Sequence, residues 1–415
     1  MNFLEDARTA PPLAHVAGFI NDARQAFAKV RPPTRKDEDW RLLKLKPLFS
    51  ATYGLTSGPT IPSKLELSES ATCHLHLENG KVCLPSSNLA GLEKGVFVGS
   101  LEDAPSYVFE ALEKKEASPF EDEYFDLLNR SSLQDIACIF VEKNILQPIP
   151  LHVSYGTFGD AFSSSPRLLI LVEEGAQITV IETWEGEGAY FNLSSTECAV
   201  GKNAKLKHIR LQQDDSKATH ISRLWASVDR DASYDSLSLS FGALLSRNDV
   251  FISHVGEGSF SRIDGLALLQ ANQVSDTHST IDNCSPHCES HQLHKCVVND
   301  SAHAIFNGRI LVQQDAQRID AYQLNRNLLL SDKAKINTKP QLEILADDVR
   351  CSHGATVGQL DKEQLFYLES RGLSHDEARS LLTYAFAAEV VSTIEIASLK
   401  QHIEDHIKKV IDKNI

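Results

Sequence analysis

Short runs of alternating apolar and polar residues dominate the middle of this chain and predict a region built from strands. From about residue 137 to residue 350, apolar side chains recur at every second position in segments such as 167–175 and 205–211, and Gly, Asn and Asp separate the segments. A period of two is the period of a β-strand with one buried face. The pattern therefore predicts that this part of the chain is mainly β.

Turn signals inside this region return at a regular interval. Each signal is a polar or turn-forming residue followed by another residue, usually Ala, and the first signals are 28 residues apart. They stand at Gly175-Ala176, Asn203-Ala204 and Asp231-Ala232, with Ser259-Phe260 in the same register and similar signals at Ser301-Ala302, Asp315-Ala316 and Lys333-Ala334. A fixed period among strands is typical of a solenoid of stacked coils. A β-sandwich with evenly spaced turns is the open alternative.

Helical spacing precedes the β region. A first helix is predicted to end at Arg31-Pro32-Pro33, because proline removes a backbone donor and restrains the residue before it. Its apolar residues are Leu13, Val16, Ala17, Ile20, Ala23 and Phe27. The alternating run 73–77, closed by Glu78-Asn79-Gly80, predicts a hairpin. The acidic stretch 100–130 has helical spacing around Tyr107, Phe109 and Leu112, and again around Phe125, Leu127 and Leu128.

Two capping signals predict helices after the β region. Asp361 with Gln364 and Ser374 with Glu377 have the spacing of a capping box, and Arg371-Gly372 offers a stop for the first helix. The second helix is predicted to carry one apolar face formed by Ala378, Leu381, Leu382, Ala385, Phe386 and Val390. The predicted domains are an N-terminal helical region with a hairpin (1–90), an acidic helical connection (91–136), the β core (137–357) and a C-terminal helical domain (358–415).

Charge and composition narrow the function classes. The formal net charge is −15 and no long basic run occurs, which argues against a nucleic-acid partner. Neither a signal peptide nor a long apolar segment is present, so we expect a soluble cytoplasmic chain without a membrane partner. The 8 cysteines are dispersed, as free thiols in a reducing compartment would be. No GxxxxGK[ST] loop occurs, so we expect no bound nucleotide.

Candidate metal ligands occur in two places. Cys351 and His353 are two residues apart, so on an extended strand they would point to the same side and could share one metal. A buried thiol beside a hydrogen-bonded imidazole is the alternative. A second, denser group fits no closed zinc pattern, and we expect its members to be scattered. That group is His278, Cys284, His287, Cys288, His291, His294 and Cys296.

Three motifs connect the chain to a known family. They are PTRKDEDW at 33–40, Ser290-His291-Gln292-Leu293-His294-Lys295 with Phe306-Asn307-Gly308, and the continuous stretch 339–390 around Cys351-Ser352-His353-Gly354. Their wording resembles SufD-type members of the SufB/SufD family of iron–sulfur cluster assembly proteins. The resemblance implies a right-handed parallel β-helix core flanked by N-terminal and C-terminal helical domains, and it favours the solenoid over the sandwich.

The resemblance also implies a function. The chain would be a non-enzymatic scaffold that pairs with SufB through its β-helix and docks the ATPase SufC, which would hydrolyse ATP, through its C-terminal helices. It implies a transient iron or iron–sulfur cluster at the SufB interface with His353 and Cys351 as this chain's ligands, reduced flavin in the complex, and a homodimer when the chain is isolated. The candidate SufC contacts are Leu365, Phe366, Tyr367, Arg371, Leu381, Leu382, Tyr384 and Phe386.

Two other functions stay open at this stage. SufB-type chains, the principal cluster scaffolds, carry a cysteine just before the apolar triplet that corresponds to 328–330, whereas this chain has Gln323-Leu324-Asn325-Arg326-Asn327 there. They also have a HEAT-like sequence where this chain has His353-Gly354-Ala355-Thr356. Both differences favour a SufD-type chain. A carbohydrate-active β-helix enzyme would need paired carboxylates on one face, and the spacing of Asp214, Asp215, Asp229 and Asp231 marks no such site.

Overall fold

Successive strands of the chain alternate between two long parallel sheets, so that each strand pairs with the strand two places along. The computed structural model describes residues 16–54, 65–113, 118–120 and 123–412. It is mainly β, with 44% strand and 22% helix, and forms a solenoid of about 8 turns with helices at both ends of the chain. The predicted solenoid is therefore confirmed, and the sandwich is excluded.

Bounds of the elements are as follows. The strands are β1 His74–Glu78, β2 Lys81–Val82, β3 Val96–Ser100, β4 Ala137–Val141, β5 Leu151–Phe158, β6 Ser163–Ser164, β7 Arg167–Val172, β8 Gln177–Glu187, β9 Phe191–Val200, β10 Lys205–Gln213, β11 Thr219–Val228, β12 Ser233–Ser240, β13 Leu245–His254, β14 Phe260–Leu269, β15 Val274–Asn283, β16 Glu289–Val298, β17 His303–Val312, β18 Ile319–Leu329, β19 Lys335–Ile344 and β20 Val349–Gly358. The helices are α1 Ala17–Phe27, α2 Lys46–Ser50, α3 Ser106–Glu113, α4 Tyr124–Ser131, α5 Lys362–Ser370, α6 His375–Val391 and α7 Ala397–Asp412.

The order of the strands follows the coils. One sheet runs β2-β1-β5-β8-β10-β12-β14-β16-β18-β20, and the other runs β19-β17-β15-β13-β11-β9-β7-β4-β3, with β6 beside β9. Inward-facing residues stack on inward-facing residues of the neighbouring coils because the ladders are in register. From β5 onwards, both sheets end at the strands contributed by the last coil, β19 and β20.

The recurring turn signals mark a real corner of the solenoid. At this corner the chain takes a left-handed backbone conformation in coil after coil, at Asn144, Gly175, Asn203, Asp231, Gly258, His287 and Arg318. Gly, Asn and Asp adopt this conformation at the lowest cost, which explains their place in the pattern. Hydrogen bonds join the corners of neighbouring coils, as from Asn203 N to Arg230 O at 2.9 Å.

The repeat is less regular than predicted. Thr219 pairs with Leu245 and His303 pairs with Lys335, so one coil takes from 26 to 32 residues. Because Ser233 pairs with Phe260, the residue that continues the corner after Ala232 is Ser259, one position earlier than the predicted register. The signals at Ala302 and Ala334 lie before β17 and β19, at a different corner. A fixed interval of 28 residues is therefore wrong for the later coils.

The N-terminal predictions are confirmed where the structure describes them. Helix α1 buries Ile20, Ala23 and Phe27, while Leu13 lies outside the described residues. Helices α3 and α4 occupy the acidic stretch. Strands β1 and β2 form the hairpin, but β1 also pairs in parallel with β5 and β3 pairs with β4. The two sheets thus extend on the N-terminal side beyond the range predicted for the β core.

At the C-terminal end, helix α6 begins as predicted but buries a different face. Ser374 and Glu377 form the full capping box, and Asp361 accepts a hydrogen bond from Glu363 N at 2.8 Å. Gly372 ends α5 region with a φ of 100°. The buried residues of α6 are Ala378, Thr383, Ala387, Val390 and Val391, and they pack on the outer face of the β14–β16 sheet together with α7. Leu381 and Ala385 are exposed, so the predicted apolar face is wrong in these two members.

Candidate functional site

The C-terminal end of the solenoid is open. Strands β19 and β20 each pair on one side only, with β17 and β18, and after Gly358 the chain leaves the sheet for α5. Their outer edges present unpaired N–H and C=O groups, which are a template for pairing with another strand. Large apolar side chains stand at the same end: Ile344, Leu345 and Val357 are 39%, 61% and 49% exposed. We call the two free edges with these side chains the open end.

Cys351 and His353 lie on β20 at the open end, and both point inward. Cys351 pairs with Ala321 and His353 pairs with Gln323. Ala321 and Gln323 are buried in the lumen, whereas Tyr322 between them is 42% exposed. Since parallel strands in register point matching residues to the same side, the thiol and the imidazole continue the rows of the lumen. The structure therefore places the two predicted ligands on the same side of one strand.

The environments of the two groups differ. Cys351 is half-buried against an apolar cluster that includes Ile310, Leu342 and Val349. Burial, together with the negative charge of Asp320, raises the pKa of the Cys351 thiol. The thiol therefore needs a metal or another cation to become the thiolate that binds iron. His353 is exposed, because no further coil covers it within the described part of the chain.

Two donors do not make a complete metal site. Within the described residues, no three His, Cys, Asp or Glu side chains are gathered so that they hold a metal ion. A metal ligated by Cys351 and His353 would therefore take its remaining ligands from another molecule or from water.

The histidines and cysteines of residues 278–296 lie in separate places. His294 and Cys296 are buried in the lumen, and the His294 ring stacks on Phe306 with 4.9 Å between centroids. His278 lies on the outer face, with its Nε2 3.0 Å from Asp276. His291 is 40% exposed beside Glu289. Cys284 is exposed, Cys288 is buried near the next corner, and His287 lies at that corner.

The family motifs outside β20 serve the packing of the last coils. In Phe306-Asn307-Gly308, Phe306 carries the ring under His294, and Gly308 leaves room for Gln323, whose Nε2 lies 2.4 Å from where a Cβ would be. Gln323 in turn donates to Gln292 at 2.8 Å. These contacts fix the rows of the lumen on which Cys351 and His353 stand.

The N-terminal motif packs against the outside of the same sheet. Arg247 lies over the Trp40 ring, 4.0 Å from its centroid, and donates to Asp39 O at 2.6 Å. Glu38 pairs with Lys339 on β19 at 2.5 Å, which ties the motif to the terminal coil. The motif thus supports the strand next to the open end.

The predicted partner-binding residues lie on α5 and α6 with different exposures. Phe366, Tyr367 and Leu381 are 71%, 56% and 45% exposed, and Arg371 is also exposed. Leu365, Leu382, Tyr384 and Phe386 are half-buried. A cleft of about 650 Å³ is lined by Leu373, Asp376, Glu377, Ser380, Leu381, Tyr384, Lys408 and Ile411. It presents apolar side chains with acidic residues at its border.

Sequence reasoning missed the anchor beneath this surface. Lys295 on β16 is 1% exposed, and its ammonium group donates to Phe386 O at 2.7 Å and pairs with Glu389. Its Nζ also lies 4.4 Å from the centroid of the Phe386 ring. A lone Lys within the motif Ser290–Lys295 gives no sign of a partner 94 positions further along the chain. Phe386 is thus committed to the anchor more than to a free surface.

The carboxylates weighed for a carbohydrate-active site do not form one. Asp214 is 4% exposed and is bound by Tyr190 at 2.7 Å and His220 at 2.9 Å. Asp231 holds a corner of the solenoid. Among the described residues, no helix has the length and apolar character needed to cross a membrane.

Comparison with known families gives two matches that together span most of the chain. Residues 156–386 match the SufBD core domain of SUF-system FeS cluster assembly, and residues 13–153 match the N-terminal region of SufBD proteins.

Individual relatives agree with these matches. An iron–sulfur cluster assembly SufBD family protein of Synechocystis is 35% identical over 395 residues, which cover 91% of this chain and 87% of that protein. The iron–sulfur cluster assembly protein SufD of Escherichia coli is 33% identical over 390 residues, covering 91% and 89% of the two chains. A protein of Arabidopsis thaliana named ABCI7, chloroplastic, is 30% identical over 420 residues, covering 98% and 88%.

Proposed function

Because the chain belongs to the SufBD family of iron–sulfur cluster assembly proteins, with SufD among its relatives, we propose that it is the SufD-type scaffold subunit of a SufB–SufC–SufD complex. In this proposal the open end pairs with SufB, and α5 and α6 dock SufC, which hydrolyses ATP. The observation that carries the proposal is the open end itself. Two free sheet edges, exposed apolar side chains and two inward metal donors occur there together.

Pairing through the open end follows from its backbone. A second solenoid with free edges would continue both sheets and satisfy the unpaired groups of β19 and β20. Contact would also cover Ile344, Leu345 and Val357, which are otherwise exposed. A homodimer would use the same edges, and its formation by the isolated chain stays a prediction.

The cargo of this interface is iron or a nascent iron–sulfur cluster. His353 and Cys351 provide an imidazole and a thiol, and iron–sulfur chemistry uses thiolate ligands with imidazole as a replacement. SufB would supply the missing thiolate or carboxylate donors. Since the pKa of Cys351 is raised by burial, we assign His353 the primary role and Cys351 a secondary one.

SufC docking is assigned to the outer surface of the C-terminal helices. Phe366, Tyr367 and Leu381 project from α5 and α6 although such side chains are usually buried. The anchor of Lys295 holds the opposite side of α6 against β16, so a docked partner would pull on the solenoid directly. Binding of reduced flavin to the complex and a cytoplasmic location stay predictions; one relative is named chloroplastic.

SufD rather than SufB is the type that the sequence supports. On β18, the positions before the apolar triplet are Asn325 and Asn327, which are buried in the lumen, and neither is a cysteine. A SufB-like role as the principal scaffold is the alternative. It would require cluster formation by this chain with SufC alone.

Affinity co-purification with the SufB and SufC proteins of the same organism tests the proposal. Val357→Arg should reduce recovery of SufB by about tenfold or more, because it places a charge on an apolar contact, while SufC is retained. Phe366→Asp should do the reverse. Leu146→Arg changes a side chain that is 59% exposed elsewhere and should leave both partners bound. Unchanged recovery of SufB with Val357→Arg would contradict pairing through the open end.

A further inference from the structure

A small cavity lies inside the solenoid between β8, β10, β12 and β13. It measures about 20 Å³, which is enough for one water-sized ligand. Its walls include Trp184, Arg210, Ser238 and Ser246. The serines leave space that longer side chains fill in other coils.

Several polar groups in these walls lack a partner. Trp184 Nε1, Ser238 Oγ and Ser246 Oγ are buried without a hydrogen bond, and the Trp184 and Ser246 side chains belong to residues that are only 1% and 5% exposed. The indole cannot turn away, because its ring stacks on Tyr155 at 5.0 Å with 3° between the planes and carries Arg210 at 5.0 Å from its centroid. An indole N–H can only donate, so leaving it unpaired in the interior costs stability.

The charge of the walls has one sign. Arg210 lines the cavity, and none of the described residues around the cavity is Asp or Glu. Glu182 lies 3.4 Å from Arg210 Nε, but its oxygens are already held by Tyr155 at 2.6 Å and by His208 at 2.8 Å. The next carboxylate, Asp214, is paired with His220 at 2.9 Å. The open wall thus presents a guanidinium, an indole N–H and hydroxyl groups.

We propose that this cavity binds one small monovalent anion of halide size, held by Trp184, Arg210 and Ser246. An anion accepts from all the unpaired donors at once and lies next to the guanidinium, whereas water would also have to place its own hydrogens among donors. The volume excludes polyatomic anions such as phosphate. The site stabilises the lumen of the solenoid and does not depend on the function proposed above.

Bromide is the probe, because its anomalous X-ray scattering identifies it directly. The full-length chain is purified with bromide as the only halide and crystallised, and an anomalous peak is expected within hydrogen-bond distance of Trp184 Nε1. In solution, bromide should raise the thermal midpoint relative to gluconate at equal ionic strength. Trp184→Phe keeps the stacked ring but removes the N–H, and it should weaken bromide binding about tenfold.

Trp225→Phe is the matched control, because it removes an indole N–H from another buried tryptophan outside the cavity wall. It should bind bromide as the wild type does. Density without an anomalous signal, which is water, would overturn the proposal. So would a bromide effect on the thermal midpoint that is equal in the wild type and in Trp184→Phe.

Discussion

Acidification should destabilise this protein because three buried histidines cannot accept a proton in the folded state. His152, His254 and His294 are 2%, 0% and 5% exposed. Burial lowers the pKa of His152 to about 3 and the pKa values of His254 and His294 to about 4. In the unfolded chain the same side chains titrate near pH 6.5. Below that pH the unfolded state takes up protons that the folded state does not.

The sign and size follow from linkage. Above pH 6.5 all three groups are neutral in both states and contribute no pH dependence; between pH 6.5 and their folded pKa values, falling pH favours unfolding. At pH 5 each histidine costs about 2 kcal/mol, and the three together about 6 kcal/mol, from 1.36 kcal/mol per unit. Asp264 opposes this by roughly 1 kcal/mol, because burial raises its pKa to about 6 and it gains a proton on folding.

Urea unfolding at pH 7 and at pH 5 measures the effect, and one variant isolates a single group. His254 is bound by Asn283 at 3.0 Å and Ser261 at 2.9 Å, and His254→Gln keeps an amide there that does not titrate. The variant should lose about 2 kcal/mol less than the wild type between the two pH values. His291→Gln, at an exposed position, should lose as much as the wild type. An equal loss in wild type and His254→Gln would refute the reasoning.

Two further predictions concern packing. Glu389→Gln removes the partner of the buried ammonium of Lys295 and should lower the free energy of unfolding by about 2 kcal/mol in urea denaturation, whereas Lys207→Met, in a more exposed pair, should change it by less than about 0.5 kcal/mol. An equal effect of both would show that the anchor contributes little. Gly256→Ala would place a Cβ 1.9 Å from a backbone nitrogen of the neighbouring coil and should lower the thermal midpoint strongly. Gly18→Ala meets nothing within 4 Å on helix α1 and should raise it slightly; a stable Gly256→Ala protein would disprove the close packing of the coils.

Sequence patterns predicted the solenoid because its corners have a local cause. Asn203 and Asp231 are at positions that need a left-handed backbone, and the residues that follow are small because the corner is buried. The interval between corners could not be predicted as well, because each coil has another corner whose loop length varies without changing the strands. The extension of the sheets by β1 also escaped prediction, since its parallel partner β5 is far away in the sequence.

For the candidate site, a period of two was enough to put Cys351 and His353 on one side of a strand. Which of them is exposed was not predictable, because this depends on where the stack of coils ends. The faces of α6 were partly mispredicted because the helix carries apolar residues on both sides: Ala387 and Val390 face the sheet, while Leu381 faces outward. The Lys295–Glu389 contact joins two elements that no local pattern relates.

The most direct test of the central claim is the iron and sulfide content of the assembled complex with His353 changed. The complex is purified with SufB and SufC, and iron and sulfide are measured per complex for the wild type, His353→Ala and His291→Ala. His291 is an exposed histidine away from the open end and controls for loss of an imidazole. We predict that all three assemble and that only His353→Ala loses most of its iron and sulfide. Equal content in His353→Ala and the wild type would contradict a cluster-binding role for the open end.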